Sequence, residues 1–446
     1  MSLHTVGDAY THYVLPASFD SIPESWKSNK SAKPIASSMQ TVNVPALSAT
    51  QNLGGSSILQ IPCGASAGIM MNPYVRYCVQ FTSAAGVANS SFFFKGATQS
   101  ATSCINRVSS YVNSVQVDNM QNAWATYDAM LANSTSADWL AHDATLMLGS
   151  GVQYYQPVGG ATSSQTYTFA VPLLGLLGSQ QSFPLYLVNG TLQVQLDWQS
   201  NINQVYTAGA NDPAWTGMII TNVQLVYDRV QPEEAFIHKV RSDMMQGAKY
   251  VYGYTNLSSV TLPTTFGAGG GTLNLNYGLN VSSLQGILAV QYLTASLGTS
   301  AAAPSFSNNM NGFQVSLDGR LISSLALDST ANPVLYFAEA QKVLGRLFDA
   351  SITSPLVNTA VAGQASANGN ASGGNFITNY FVAGASAQRI NEGLAFQGSP
   401  CSILNVQVNL GATTNNIVSA NSTIYFVLIS AFQLLIDATG SVEIIR

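Results

Sequence analysis

The sequence predicts a mainly β protein: two consecutive antiparallel β-sandwiches with short helical insertions in each. Three observations carry that expectation. Apolar and polar residues alternate with period two along nearly the whole chain, which is the pattern of half-buried strands. Clusters of Gly, Pro, Ser and Asn interrupt the alternation as turns do. Charge gathers near the middle of the chain, dividing the alternating segments into two groups of about equal length.

The strands can be justified in order. Val75, Tyr77, Val79 and Phe81 point one way along the first clear alternating run. From Thr191 to Trp198, Leu192, Val194, Leu196 and Trp198 oppose Thr191, Gln193, Gln195 and Asp197. The same period recurs in Val223, Leu225 and Tyr227, in Leu273, Leu275 and Tyr277, and in Val406, Val408 and Leu410. The denser run from Ile424 to Ile429 reads as a strand buried on both faces. Gly54-Gly55, Gly159-Gly160, Gly267 to Gly271 and the stretch from Ala365 to Gly374 read as loops, the last as a surface loop of low complexity.

Helical spacing appears in three places. Asn119 to Leu131 carries Trp124, Tyr127, Met130 and Leu131 at that spacing, and Ser136 to Met147 follows as a second candidate. Val334 to Ala350 sets Leu335, Ala338, Leu344, Leu347 and Phe348 on an apolar side against Glu339, Lys342 and Arg346. Each half of the chain thus carries a helical insertion among its strands, a weak two-fold similarity of architecture.

Arg229, Glu233, Glu234, Lys239, Arg241, Asp243 and Lys249 crowd into one segment, and the next 68 residues, Tyr250 to Leu317, contain no charged side chain. A boundary is therefore expected at this segment. The division is an N-terminal arm over 1–40, a first sandwich over 41–235 and a second over 236–446.

Charge is scarce overall. The chain has 446 residues but only 15 Lys and Arg and 20 Asp and Glu, 8% of the total, against about 25% in ordinary globular proteins. Either Ser, Thr, Asn and Gln cover the surface, or much of that surface is hidden. A net charge of -5 without basic clusters argues against a nucleic-acid-binding domain, where phosphates require concentrated cations. A composition 47% hydrophobic argues against disorder. Mean hydropathy is +0.18, yet the best apolar run, Tyr425 to Ile436, is interrupted by Ser430 and Gln433 and is too short for a membrane-spanning helix. The N-terminus shows no basic start followed by an apolar stretch, so no secretory signal is expected.

The residues that chemistry requires are thin on the ground. Cys63, Cys78, Cys104 and Cys401 lie far apart with no C-x-x-C pair, so zinc is not expected, and Cys78 reads as a buried thiol. His4 and His12 lie in the arm, His142 beside Asp143, and His238 in the charged segment, with no ligand-spaced pair. Gly64-Ala65-Ser66-Ala67-Gly68 matches G-x-S-x-G, but a nucleophile elbow needs a helix after the serine, and Pro73 follows within the next strand-like run. Gly267 to Gly271 lacks the Lys-Ser/Thr of a phosphate loop. Asp197 belongs to the polar side of a strand, and Asp118, Asp128, Asp138 and Asp143 are read as the wet side of the helical insertion. No catalytic residue, cofactor or metal is expected.

The segment Phe169-Ala-Val-Pro-Leu-Leu-Gly-Leu-Leu-Gly-Ser-Gln-Gln-Ser-Phe-Pro-Leu-Tyr-Leu-Val-Asn-Gly-Thr-Leu-Gln-Val-Gln-Leu-Asp-Trp198 sets two Pro-Leu dipeptides, at Pro172 and Pro184, before a clean alternating strand. It resembles the late part of the first roll in the double jelly-roll major capsid proteins of tailless icosahedral double-stranded DNA viruses. That family includes proteins of virophages, polinton-like viruses and large algal and amoebal viruses. Asn222 to Pro232 resembles the strand closing the first roll, and Phe432 to Val442 is similar to the final strand. The resemblance covers roughly residues 40 to 446.

The resemblance implies two jelly-roll β-sandwiches and a structural role without catalysis: a homotrimer forming a pseudo-hexagonal capsomer of an icosahedral virion, assembled inside the host cell. The implied partners are further copies of the chain, neighbouring capsomers, and penton and minor capsid proteins. No sequence-specific nucleic acid is implied, and an internal membrane would lie at the capsomer base beside the arm containing Trp26, Lys27, Lys30 and Lys33. The competing readings are a minor capsid component, a cell-surface adhesin or carbohydrate-binding β-sandwich, and a hydrolase using Ser66.

Overall fold

The computed structural model describes residues 36–83, 90–134, 142–156, 166–178, 182–208, 215–264, 270–303, 305–325, 329, 332–344, 380–388, 398–411 and 421–446. The loop predicted from Ala365 to Gly374, most of the arm over 1–40 and Asp138 lie outside these residues.

The first half of the chain supplies β1 (Ala36–Pro45), β2 (Thr50–Asn52), β3 (Ser56–Cys63), β4 (Ile69–Ser83), β5 (Ser90–Phe94), β6 (Ile105–Val112) and β7 (Val115–Gln121). It continues with β8 (Tyr154–Gln156), β9 (Thr166–Pro172), β10 (Gly190–Trp198), β11 (Tyr206–Ala208) and β12 (Trp215–Pro232). One sheet runs β1-β12-β4-β9, with β2 added on β12, and a second runs β3-β10-β6-β7. Every pairing is antiparallel, and apart from the β6–β7 hairpin the neighbours in space are far apart in sequence, as in a jelly roll. Strand β1 opens at Ala36, inside the stretch assigned to the arm.

The second half supplies β13 (Tyr250–Pro263), β14 (Gly271–Leu293), β15 (Met310–Leu317), β16 (Arg320–Leu325), β17 (Val382–Ser386), β18 (Ser399–Leu410), β19 (Ser422–Ile436) and β20 (Val442–Ile445). Strand β14 serves two layers. Its early part, Gly271 to Leu284, pairs with β18, and its late part, Leu284 to Leu293, pairs with β19. Register shifts between Gly278 and Leu284, with Asn280 in the left-handed region at φ 51°, mark the bend where it changes layer.

Dividing β14 at that bend yields the layers β13-β19-late β14-β17 and early β14-β18-β15-β16. This is the order of the first roll repeated. Strands β1, β3, β4, β6, β7, β9, β10 and β12 correspond to β13, early β14, late β14, β15, β16, β17, β18 and β19, so the two rolls account for sixteen strands.

Helices α1 (Ala123–Ser134) and α2 (Ala144–Leu148) fall between β7 and β9, α3 (Glu234–Met245) lies between the rolls, α4 (Thr294–Leu297) follows β14, and α5 (Pro333–Val343) lies between β16 and β17. Helices α1, α2 and α5 thus interrupt both rolls at the same topological point, between the fifth and sixth strands. None of the described helices is long and apolar enough to cross a membrane.

The helix expectations needed correction at their edges. Asn119 to Gln121 finish strand β7, and the helix begins only at Ala123. The charged segment expected as a bare boundary folds into α3, which buries Ile237, Val240 and Met244 and turns its charges outward. In α5 the buried side runs through Tyr336, Ala340 and Val343, whereas Leu335 is 44% exposed. Proximity decides that orientation: a Cβ at Gly384 on β17 would lie 2.6 Å from the Cα of Ala340, so only the small-residue side of the helix can approach the sheet.

The cores follow the predicted alternation. In β10, Leu192, Val194, Leu196 and Trp198 are buried, and so are Val75, Tyr77, Val79 and Phe81 in β4 and Ile424 to Ile429 in β19. Tyr77 and Trp198 meet across the first sandwich with ring centroids 5.1 Å apart. A small sheet, β11-β5-β8, sits at one end of the first roll, fastened by Phe92, Phe94, Tyr154 and Trp215 packing around Phe81 and Phe169.

Candidate functional site

The densest polar chemistry lies where the two rolls meet. Lys95 follows three phenylalanines at the end of β5 and is 2% exposed. Its ammonium donates to the carbonyl oxygens of Asn203 and Thr299, each at 2.6 Å, and to that of Ser296. Ser296 is in α4, so a first-roll cation is held by second-roll carbonyls. Burial pushes the Lys95 pKa down to about 8; the ring of carbonyl dipoles is what makes an ammonium tolerable there.

Asp128 on α1 is the second tie. Its Oδ1 accepts from the Thr98 N–H and hydroxyl, each at 2.7 Å, and its Oδ2 accepts from the Ala97 N–H at 2.8 Å and from the Tyr292 hydroxyl at 2.7 Å. Tyr292 lies on β14 in the second roll. Burial raises the Asp128 pKa against the pull of these donors. One helical turn away, the Trp124 ring packs on Tyr292 and Tyr425, with centroids 5.0 and 5.3 Å apart.

The seam continues along its length. The Tyr254 hydroxyl donates to Val117 O at 2.6 Å, the Tyr252 hydroxyl to Leu176 O at 3.2 Å, and Ser259 Oγ to Gln121 O. Asn113 Nδ2 donates to Gly440 O at 2.8 Å, and Arg241 of α3 donates to Tyr186 O at 3.0 Å. A cleft of about 260 Å³ opens beside Asp118, between β7 and strands β13 and β14. Asp118 Oδ2 accepts from the Leu176 N–H at 3.0 Å, while Oδ1 is buried without a hydrogen-bond partner. Burial lifts its pKa to about 7, a shift that the Leu176 and Asn119 N–H groups reduce but do not cancel.

These findings revise the expectation that Asp118 and Asp128 sit on the wet side of a helical insertion. Asp118 belongs to β7 and is 4% exposed, and Asp128 is 3% exposed on the inward side of α1. The sequence did hold a signal. Asp128 follows Trp124 by four residues, which places both on one side of a helix, and Lys95 closes an aromatic run in a chain with few charges. Asp143 stands exposed at the start of α2, as expected.

The remaining candidates are scattered. Ser66 is exposed in the turn joining β3 and β4, with no helix after it. His238 is an exposed neighbour of Glu234 on α3, with Nε2 3.5 Å from the carboxylate, and His142 is exposed beside α2. Asp197 accepts from Ser56 at 2.6 Å, Gln195 at 2.9 Å and Arg107 Nε at 2.6 Å; burial pushes its pKa up, but these donors outweigh burial and hold it below the usual carboxylate range. Cys78 is buried in β4, its Sγ 3.3 Å from Thr168 Oγ1. Burial pushes the Cys63 and Cys401 thiols up to about 11 and raises Cys104 further, which suppresses thiolate chemistry. Among the described residues no group of three His, Cys, Asp or Glu side chains could hold a metal ion. What this arrangement does chemically is fasten two sandwiches at a fixed mutual orientation.

No protein-family model and no curated protein sequence matches the chain. Solved structures do. A chain of the Sputnik virophage superposes with a TM-score of 0.60 at 12% identity, covering 94% of this chain and 90% of that one. The mavirus major capsid protein superposes at 0.55 and 12% identity, covering 94% and 93%. The Faustovirus major capsid protein superposes at 0.55 and 7% identity, covering 98% and 99%. At such identities the likeness is one of fold, and it spans both rolls and the junction between them. The chain has the tandem jelly-roll fold of the mavirus and Faustovirus major capsid proteins.

Proposed function

We propose that the chain is a major capsid subunit, acting by self-association and without catalysis as a homotrimeric, pseudo-hexagonal capsomer of an icosahedral virion. The observation that carries this reading is the repeated roll. Two sandwiches of identical strand order, tied by Lys95 and Asp128, make each subunit a rigid pair of similar blocks, and three such subunits place six rolls around an axis. The scarcity of charge supports it. A buried, unpaired charge is expensive, whereas Ser, Thr, Asn and Gln tolerate broad subunit contacts.

In this reading the division falls at 235/236, within α3. Neighbouring capsomers, penton and minor capsid proteins bind the trimer, and the arm over 1–40 lies at the capsomer base toward an internal membrane or a neighbour. The decisive measurement is the mass of the purified protein. A trimer of the 47.0 kDa chain runs near 141 kDa, and electron micrographs of concentrated protein should show hexagonal capsomers. A chain that stays monomeric and binds glycans instead would belong with the adhesins. Deleting residues 1–35 tests the arm: unchanged trimers and shells would remove it from assembly.

A further inference from the structure

The two rolls repeat each other more closely than strand order requires. The β6-β7 hairpin turns on Asn113 and Ser114, with Val112 paired to Val115, and the β15-β16 hairpin turns on Asp318 and Gly319, with Leu317 paired to Arg320. All four turn residues are left-handed, at φ 50°, 66°, 48° and 80°. Each hairpin then bulges by one residue at the same step. Tyr111 pairs with Gln116 but Ser110 with Asp118, and Ser316 pairs with Leu321 but Val315 with Ser323. Gln116, Val117 and Asp118 of the first roll therefore correspond to Leu321, Ile322 and Ser323 of the second. Trp124 and Val334 correspond as well, each the second residue of the helix that follows its hairpin.

These matched positions have different surroundings. In the first roll they are covered by the second: Val117 O accepts from the Tyr254 hydroxyl, Asp118 is buried beside the junction cleft, and Trp124, 5% exposed, packs on Tyr292 and Tyr425. Among the described residues no further roll stands against the matching edge of the second. There Leu321 and Val334 are each 57% exposed, and Leu335 is exposed next to Val334. An open cleft of about 400 Å³ lies beside Leu321 and Ile322. This edge repeats the seam with its receiving sheet missing.

The receiving sheet exists once more in the molecule. Within the chain, β7 and α1 dock on β13, β19 and late β14, whose counterparts in the first roll are β1, β12 and β4. Val42 and Val44 of β1 turn to the core, so Met39, Thr41 and Asn43 point away from it. On that outward side Met39 pairs with Val230, Thr41 with Asp228, and Asp228 in turn with Met71. Met39 and Met71 are large apolar side chains left exposed.

We infer that β16 and α5 of one copy seat on the outward side of β1, β12 and β4 in the next, repeating between chains the contact that β7 and α1 make inside one. This rests on the trimer reading and names the surfaces that make the trimer. A second copy is the occupant that the edge fits, because the edge's own counterpart already docks on a sheet of this strand order. The contact covers Leu321, Val334 and Leu335 on one side and Met39 and Met71 on the other. Arg320, exposed beside Leu321, brings a cation to the sheet that carries Asp228. The two surfaces differ, so the contact is heterologous; three of them alternate with three internal seams and close the ring.

Two double substitutions in the full chain test the pairing, read by analytical ultracentrifugation across concentration. Leu321→Lys with Val334→Lys alters the edge, and Met39→Lys with Asn43→Lys alters the receiving sheet. All four side chains are exposed in the single chain, so lysine leaves the cores alone. The expected result is a trimeric parent and, for each pair, a trimer midpoint concentration raised ~100-fold or more, because ammonium groups buried in the contact meet no counter-charge. Gln60→Lys, exposed on β3 in the other sheet of the first roll, should leave the trimer unchanged. Should lysine abolish cooperative melting, Leu321→Ser with Val334→Ser gives the same reading at ~10-fold. A monomeric parent overturns the trimer itself. A trimeric parent overturns this pairing alone if either double variant, cooperatively folded, is equally trimeric, or if Gln60→Lys breaks the trimer as they do.

Discussion

The Tyr292 hydroxyl of the second roll donates to Asp128 Oδ2 of the first at 2.7 Å, in a place where both side chains are almost wholly buried. The carboxylate already holds three donors from its own roll, so the phenol completes its shell and makes the correct docking of the rolls a condition of satisfying it. Tyr292→Phe should lower stability by about 1–2 kcal/mol. Asp128→Ala, which strands the Ala97 and Thr98 N–H groups, should cost about 3 kcal/mol or more. In a double-mutant cycle read by urea denaturation, the two changes should couple; strict additivity would mean that the bond contributes nothing.

Lys95 should behave as the stronger clamp. Lys95→Met keeps the length and the apolar stem but leaves three carbonyl oxygens, that of buried Ser296 among them, without their donor. The expected loss is about 2–4 kcal/mol, with the unfolding of the two rolls beginning to separate in calorimetry. A single unshifted transition would contradict the clamp.

Asp118 predicts a pH dependence whose sign can be worked out. Its folded pKa of about 7 lies above the ordinary carboxylate value of 3.8 because the group is buried. The folded state therefore holds the proton more tightly, and the group's stabilising contribution, full below the unfolded pKa, is lost as pH rises through about 7. The full swing is about 4 kcal/mol. Asp118→Asn should therefore be more stable than the parent at pH 8, with the gap closing as pH falls toward 4. A gap that is constant with pH would refute the assignment.

Gly384 tests the approach of α5 to β17. A methyl group there meets Ala340 Cα at 2.6 Å and Ala340 N at 2.9 Å, both backbone atoms that cannot swing aside. Gly384→Ala should cost about 1–3 kcal/mol and lower the melting temperature by several degrees. Gly253→Ala, with no atom within 4 Å of the added carbon, is the matched control and should change little.

Much of the fold was legible because strand burial is local. Leu192, Val194, Leu196 and Trp198 alternate in the sequence and are buried together, since the pleat alone assigns every second residue to one side. Helix α3 escaped notice because its charges suggested a bare linker, while its three buried residues, Ile237, Val240 and Met244, are too few to stand out. The bend of β14 was hidden as well: nothing in Gly271 to Leu293 announces that one continuous strand serves two layers, because the change of layer is decided by which partners are available.

By itself, the sequence determined that this protein is built of sandwiches, where many of its strands run, and that charged side chains are few. These follow from side-chain periodicity and composition, which act over a few residues. Only the tertiary structure decided that Lys95 finds the carbonyls of Ser296 and Thr299 some two hundred positions away, that Asp118 and Asp128 face inward, and that the β15-β16 hairpin repeats the bulge of β6-β7. Those outcomes depend on register and docking, which bring distant residues together and in which the burial of whole sheets outweighs the preference of any single polar side chain for water.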